Sequence, residues 1–331
     1  MHAFVTGATG FAGSRLCRTL VERGWQVSAL VRTTSRAAGA LDGLPVTRVA
    51  GDVRDPASLG GGAMAGVDVV FHLASAFREA KLSDETFRAV NVDGTRHVLE
   101  AAAAAGVGRV VHCSTVGIHG DTGHMPVTEE SPPGELDDSY NVTKLEAERL
   151  ARGFFAERGM AGVVVRPTVG YGPGEPRFAK LFRSVQKGRF VMVGSGETLY
   201  NMVYIDDAVD GLVRAAESPR APGEVFLLGG AENITLNTLV RTVARIVGGR
   251  VSRARVPLAP VLVAGDVCER IFKPFGVEPP LHRRRVGFFS TNRAVDIGKA
   301  RRLLGYAPAT PLETGLARMA DWYRETGELQ A

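Results

Sequence analysis

Eight residues near the start of the chain, Thr6-Gly7-Ala8-Thr9-Gly10-Phe11-Ala12-Gly13, restrict its fold more than any other stretch. They follow the apolar pair Phe4-Val5 and open a helical pattern over 15–23 that Gly24 stops. A phosphate must approach backbone N–H groups at a helix N-terminus, and a side chain there would block it. Gly7 permits the tight turn, Gly10 the close approach, and Gly13 the packing of helix on sheet. Glycine spacing alone is weak evidence; a strand before it and a helix after it give it weight.

The rest of the first half repeats this rhythm. Short apolar runs at 27–31, 46–50, 67–73, 109–114 and 163–165 read as strands. Helical patterns cover 85–105, ended by Gly106, and 140–158, ended by Gly159. Continuous apolar runs between helices mean strands covered on both faces, hence a parallel sheet. Right-handed crossovers then give an α/β fold, a Rossmann-type doubly wound parallel sheet. After Pro167 the pattern changes: glycines and prolines crowd 170–176, and only short helical and apolar stretches follow. This predicts a smaller irregular C-terminal substrate lobe. The division expected is a dinucleotide-binding domain over 1–166 plus about 203–228, and a lobe over about 167–202 and 229–331.

Composition narrows the function classes. Of 331 residues 45% are apolar and 23% charged, which excludes disorder for most of the chain. No apolar run reaches the ~18 residues of a membrane span, and the start has no basic, long apolar leader. The net charge of +5 comes from scattered residues, so no nucleic-acid partner is expected. The one tight basic run is Arg283-Arg284-Arg285, read as a solvated face or an anion site. Cys17, Cys113 and Cys268 show no metal spacing and no disulfide framework, which points to a reducing cytoplasm and no metal. His119 and His124 are loop histidines or substrate contacts.

Tyr140-Asn141-Val142-Thr143-Lys144 carries the chemistry. On a helix, positions i and i+4 share one face. A free tyrosine ionises near ~10, and an ammonium alongside favours its phenolate. Tyr140 then trades a proton with a substrate hydroxyl near neutral pH. Ser114-Thr115 closes a strand, where a hydroxyl can bind the substrate oxygen.

With these motifs the chain resembles the short-chain dehydrogenase/reductase superfamily, and by length its extended, epimerase/dehydratase branch. It is closest to members like the 3β-hydroxysteroid dehydrogenases, through the apolar 261–272 stretch, Glu278-Pro279-Pro280-Leu281 and Phe288-Phe289. Plain lobe core explains that stretch equally well. Asn91-Val92-Asp93-Gly94-Thr95, Tyr204-Ile205-Asp206-Asp207, Leu304-Gly305-Tyr306 and Trp322-Tyr323 extend the likeness nearly end to end. The resemblance implies catalytic roles for Thr115, Tyr140 and Lys144, with Ser114 as second candidate to Thr115. It implies cofactor contacts at Gly7, Thr9, Gly10, Phe11, Ala12, Arg32, Asp52, Val53, Leu73, Ala74, Ser75, Asn91, Ser114, Tyr140, Lys144, Pro167, Thr168 and Val169. It also implies a homodimer built on the helix carrying Tyr140 and the helix before it.

The strand ending Leu30-Val31-Arg32-Thr33 lacks the acidic residue that binds a ribose 2′-OH. Arg32, with Arg36 nearby, suits a 2′-phosphate. NADP is therefore the expected cofactor, with NAD the alternative if Arg32 only stacks on adenine. The substrate is a small molecule. Val116-Gly117 stand where sugar 4,6-dehydratases carry a carboxylate pair, which argues against dehydration. Tyr200 stands where many nucleotide-sugar members carry an arginine, and Thr168-Val169 stand where they carry an asparagine. The expected reaction is interconversion of a secondary alcohol and a ketone. The alternatives are a redox-neutral nucleotide-sugar epimerase with captive NAD, and a non-catalytic dinucleotide sensor, against which the intact Thr115, Tyr140 and Lys144 argue.

Overall fold

Six strands of the first half, β1 (His2–Thr6), β2 (Gln26–Val31), β3 (Thr47–Ala50), β4 (Val69–His72), β5 (Arg109–Cys113) and β6 (Gly162–Pro167), lie parallel in one sheet. The second half adds β7 (Val169–Tyr171), β8 (Met192–Val193), β9 (Leu199–Tyr204), β10 (Val225–Leu228), β11 (Asn233–Thr235) and β12 (Arg255–Val256). β10 joins the large sheet, whose order is β3-β2-β1-β4-β5-β6-β10. The computed structural model describes residues 1–35, 37–77, 82–252, 254–272 and 283–330. Arg36 and Glu278 to Leu281 lie outside the described residues, as do the side chains of Arg283 to Arg285.

The apolar runs explain the sheet. Every residue of β4 and β10 is buried, and β6 is buried over five of its six. β3 is the exposed edge. The helices in chain order begin with α1 (Phe11–Glu22), α2 (Asp84–Arg88), α3 (Gly94–Ala104), α4 (Ser139–Arg158), α5 (Ala179–Gln186) and α6 (Ile205–Glu217), of which α1, α3, α4 and α6 pack on the large sheet. The chain continues with α7 (Leu236–Val247), α8 (Leu258–Phe272), α9 (Arg283–Ser290), α10 (Gly298–Leu304) and α11 (Leu312–Glu325). Leu16 and Leu20 of α1 and Val209 and Leu212 of α6 share one core. Val98 and Leu99 of α3 and Ala151 and Phe155 of α4 share the other. Among the described residues no helix is long and apolar enough to cross a membrane.

The 85–105 pattern does not form one regular helix. α2 and α3 are joined by a π turn over Ala89–Asp93, which contains Asn91. α4 starts at Asp138, whose side chain accepts from Asn141 N, and ends at Gly159, which takes the left-handed φ of 60°. The second half holds more sheet than its sequence suggests. β7, β9 and β11 form a three-stranded sheet, with β9 parallel to β7 and antiparallel to β11.

The strand order reverses on either side of β1. A ligand crevice forms outside the C-terminal ends of strands at such a point. The loops after β1, β2, β3, β4, β5 and β6 all open there.

Candidate active site

Gly7 has a φ of +69°, and a Cβ on it would lie 2.7 Å from the Ala74 nitrogen after β4. A Cβ on Gly13 would lie 2.0 Å from the Gly7 carbonyl oxygen, so α1 packs directly on the turn that precedes it. Gly10 is the N-cap of α1; no side chain caps that end, and its first turn holds no acidic residue. Phe11 and Ala12 begin this uncapped turn. Backbone amides at a bare helix end favour an anion, so the residues present fit the pyrophosphate of a dinucleotide.

The adenosine end gathers three loops. The Thr9 hydroxyl lies 3.3 Å from that of Ser35, in the loop after β2. Arg32, exposed at the end of β2, lies close enough to the Asp52 carboxylate to help lower its pKa. The main cause of that shift is the Arg54 guanidinium, whose Nη2 lies 2.7 Å from Asp52. Val53 is buried against Gly94.

Asn91 fixes the middle of the crevice. Its Oδ1 accepts from Ser75 Oγ at 3.0 Å and from Ala76 N at 2.8 Å, and its Nδ2 donates to Thr143 Oγ1 at 3.0 Å. Asn91 thus ties Ser75 and Ala76, in the loop after β4, to α4, and its amide is spent on protein groups.

The proton-handling residues meet where β5 and α4 approach each other. Lys144 is buried, and its Nζ donates to the carbonyl of Cys113 at 2.6 Å. Burial pulls its pKa down, while Glu148, one turn further along α4, acts in the opposite direction. Tyr140 is buried one turn before Lys144, and the Phe77 ring lies edge-on to it with centroids 4.9 Å apart. Thr115 is half-buried, and its Oγ1 accepts from Gly117 N at 3.1 Å. That bond uses the hydroxyl as acceptor and leaves its proton to donate. The Gly117 backbone also abuts Asn141, the neighbour of Tyr140. Ser114 is 4% exposed, deeper than Thr115, and its Oγ lacks a hydrogen-bond partner among the described residues.

Behind these groups lies a buried polar layer that sequence spacing does not reveal. His72 Nδ1 lies 2.7 Å from Thr6 Oγ1, and its Nε2 lies 2.9 Å from Thr95 Oγ1. Its ring is 5.4 Å from that of His112. Arg166 on β6 forks onto Glu148 at 3.0 and 2.5 Å, with both side chains nearly dry. His119 joins this pair through Arg166 Nη1 at 3.2 Å, while His124 is exposed. Only the i+4 step from Lys144 to Glu148 is visible in the sequence.

On the lobe side, Pro167 ends β6 and Val169 starts β7, both half-buried. Thr168 between them donates to Asn201 Oδ1 at 3.1 Å. Tyr200 is not far from an arginine after all: the Arg293 guanidinium lies 5.5 Å from its ring centroid. That cation arrives from a distant part of the chain, so no local motif announced it. Among the described residues no group of three potential metal ligands occurs.

Residues 3–229 match the model of the NAD dependent epimerase/dehydratase family. The chain is 34% identical to the 2-alkyl-3-oxoalkanoate reductase of Stenotrophomonas maltophilia, over 96% of this chain and 98% of the relative. It is 31% identical to a 3 beta-hydroxysteroid dehydrogenase/Delta 5-->4-isomerase of Mycobacterium tuberculosis, over 97% and 90% of the two. The crystal structure of gox2253 superposes with a TM-score of 0.84 at 31% identity, covering 99% of each chain.

Proposed function

The chain belongs to the NAD-dependent epimerase/dehydratase family, within the extended short-chain dehydrogenases/reductases, and from that premise we propose that it interconverts a secondary alcohol and a ketone with NADP. The observation that carries the reading is the buried Lys144, one helical turn from Tyr140 and anchored on Cys113 O. The relatives at 31% and 34% identity are a dehydrogenase/isomerase and a reductase. Arg32 at the end of β2 supports NADP over NAD. The three cysteines are free, which suits a reducing cytoplasm.

When bound, the nicotinamide accepts or supplies the hydride. Thr115 donates its hydroxyl proton to the substrate oxygen and fixes its position. Tyr140 Oη carries the proton to or from that oxygen. Lys144 brings a positive charge beside Tyr140 and lowers the work of forming its phenolate. The Cys113 carbonyl keeps that charge in place.

Replacing Tyr140 with Phe removes the proton carrier and keeps the ring. Turnover of a ketone substrate should fall by a factor of about 10²–10⁴, while NADPH binding, followed by its fluorescence, survives. Retained turnover would defeat the assignment. The second reading, a redox-neutral nucleotide-sugar epimerase with captive NAD, draws support from Arg293 beside Tyr200. The dinucleotide released from the purified protein separates the two. Near-stoichiometric NAD favours the epimerase, and an empty site preferring added NADPH favours the reductase.

A further inference from the structure

We propose that Arg177 and Phe77 form an anion-recognising wall of the substrate site, and that the ketone handled here carries a carboxylate a few bonds from its carbonyl. The proposal rests on the ketone–alcohol reading above and narrows its substrate class.

Phe77 lies in the loop after β4 and is 38% exposed. Its ring stands at 86° to that of Tyr140. The Cζ of Arg177 sits over the same Phe77 ring, 4.8 Å from its centroid. One aromatic side chain therefore spans the gap between the catalytic phenol and a cation. The two partners come from separate elements, Tyr140 from α4 and Arg177 from the turn Pro176–Phe178 that leads into α5.

Arg177 is held in place. Glu175 accepts from its backbone N at 2.9 Å and from Nη2 at 2.5 Å. The Glu175 side chain is 5% exposed and that of Arg177 43%. The Glu175 carbonyl in turn accepts from Tyr323 Oη at 2.6 Å. A guanidinium offers five donors in a rigid fork, and Glu175 engages one nitrogen of it. An oriented, part-exposed fork beside an aromatic face is the arrangement in which arginine reads a planar carboxylate.

The wall then has three parts. Thr115 and Tyr140 take the carbonyl oxygen, Phe77 covers the intervening carbons, and Arg177 takes the charge. Glu175 already offsets part of the Arg177 charge, so the site suits one negative charge better than a diphosphate. A 3-oxo acid with an apolar chain has this layout.

The test compares a medium-chain 3-oxo acid with its methyl ester, using enzyme and NADPH. Arg177→Leu should raise the ratio of the acid's KM to the ester's by about tenfold or more, the range of a lost hydrogen bond to a charged group. Arg177→Lys should restore part of it. An unchanged ratio overturns the proposal. Calorimetric binding of heptanoate to the enzyme–NADPH complex tests the anion site without turnover. If neither ketone reacts but heptanoate binds and Arg177→Leu weakens it, the reaction assigned above fails and the wall stands. Absence of heptanoate binding to the wild-type complex, or equal binding to Arg177→Leu, removes the wall.

Discussion

His72 and His112 are placed where everything around them opposes a positive charge. The Thr95 hydroxyl donates to Asn91 O at 2.6 Å, so it accepts from His72 Nε2. With its proton on Nε2, the neutral His72 ring accepts at Nδ1 from the Thr6 hydroxyl, which itself accepts from Ala74 N. One neutral tautomer satisfies the whole chain of bonds. Burial, with the Lys144 charge adding to it, pushes the His72 pKa down to about 3. Burial does the same to His112, helped by Lys144 and His72, and holds it well below the ordinary value. Unfolded histidines take up protons near ~6.5 while these stay neutral when folded. Stability is therefore full above that pH and falls as pH drops toward the folded values. The slope is about 1.4 kcal/mol per pH unit for each histidine. The urea midpoint should fall between pH 7 and pH 5, and His112→Leu should flatten that fall. Because neither His112 ring nitrogen has a partner among the described residues, the change leaves no buried donor stranded. Identical pH slopes for the two proteins would refute this account. Neither histidine was legible as a site in the sequence, because only the parallel register of β4 and β5 sets one beside the other.

At the scale of elements, α4 and β6 are joined by charge as well as by packing. Tyr140, Lys144 and Glu148 recur every fourth residue along one face of α4. Arg166 meets the last of them with side-chain exposures of 5% and 2%. Burial penalises the Glu148 carboxylate, but the Arg166 guanidinium outweighs it and holds the pKa below the usual range. Such a pair is costly to break and far less costly to replace whole. Glu148→Ala leaves a buried guanidinium unpaired and should cost about 3–5 kcal/mol in guanidinium-chloride unfolding. Glu148→Leu combined with Arg166→Met should recover most of it. A double variant as unstable as the single one would mean that the pair itself holds the elements together. The helix of this pair was legible because its periodicity and its Gly159 stop are local. Its partner was not, since a single arginine in an apolar strand carries no mark of where it points. The π turn around Asn91 was equally hidden: its sequence keeps a helical pattern, and the extra residue per turn is set by contacts with Ser75, Ala76 and Thr143.

At the scale of the molecule, strand and helix alternation made the parallel sheet legible, since apolar runs and glycine stops are local signals. The small sheet of the second half was not, because β7 and β11 are three residues each and take their order from long-range pairing. The Phe77–Arg177 contact shares that cause, joining the loop after β4 to the lobe. Assembly is a further step of this kind, and the surface of α4 bears on it. We propose that the chain forms a homodimer through α3 and α4. Val142 is 38% exposed, and Arg149 further along the helix is exposed as well. Gly153 follows in the helix interior, and apart from its own helix backbone and chain neighbours no described atom lies within 4 Å of where its Cβ would stand. Glycine there costs α4 about 1 kcal/mol relative to alanine, a penalty the isolated chain has no packing reason to bear. Close approach of a second α4 supplies one. The protein should elute at twice its monomer mass across a dilution series. Gly153→Ala should raise the unfolding midpoint of the monomer by improving helix propensity and should weaken the dimer by placing a methyl group in the close contact. Gly153→Glu should keep the fold and shift elution to the monomer mass. A dimer that survives Gly153→Glu would place the interface elsewhere, and a wild-type monomer at every concentration would leave that glycine without an assembly role.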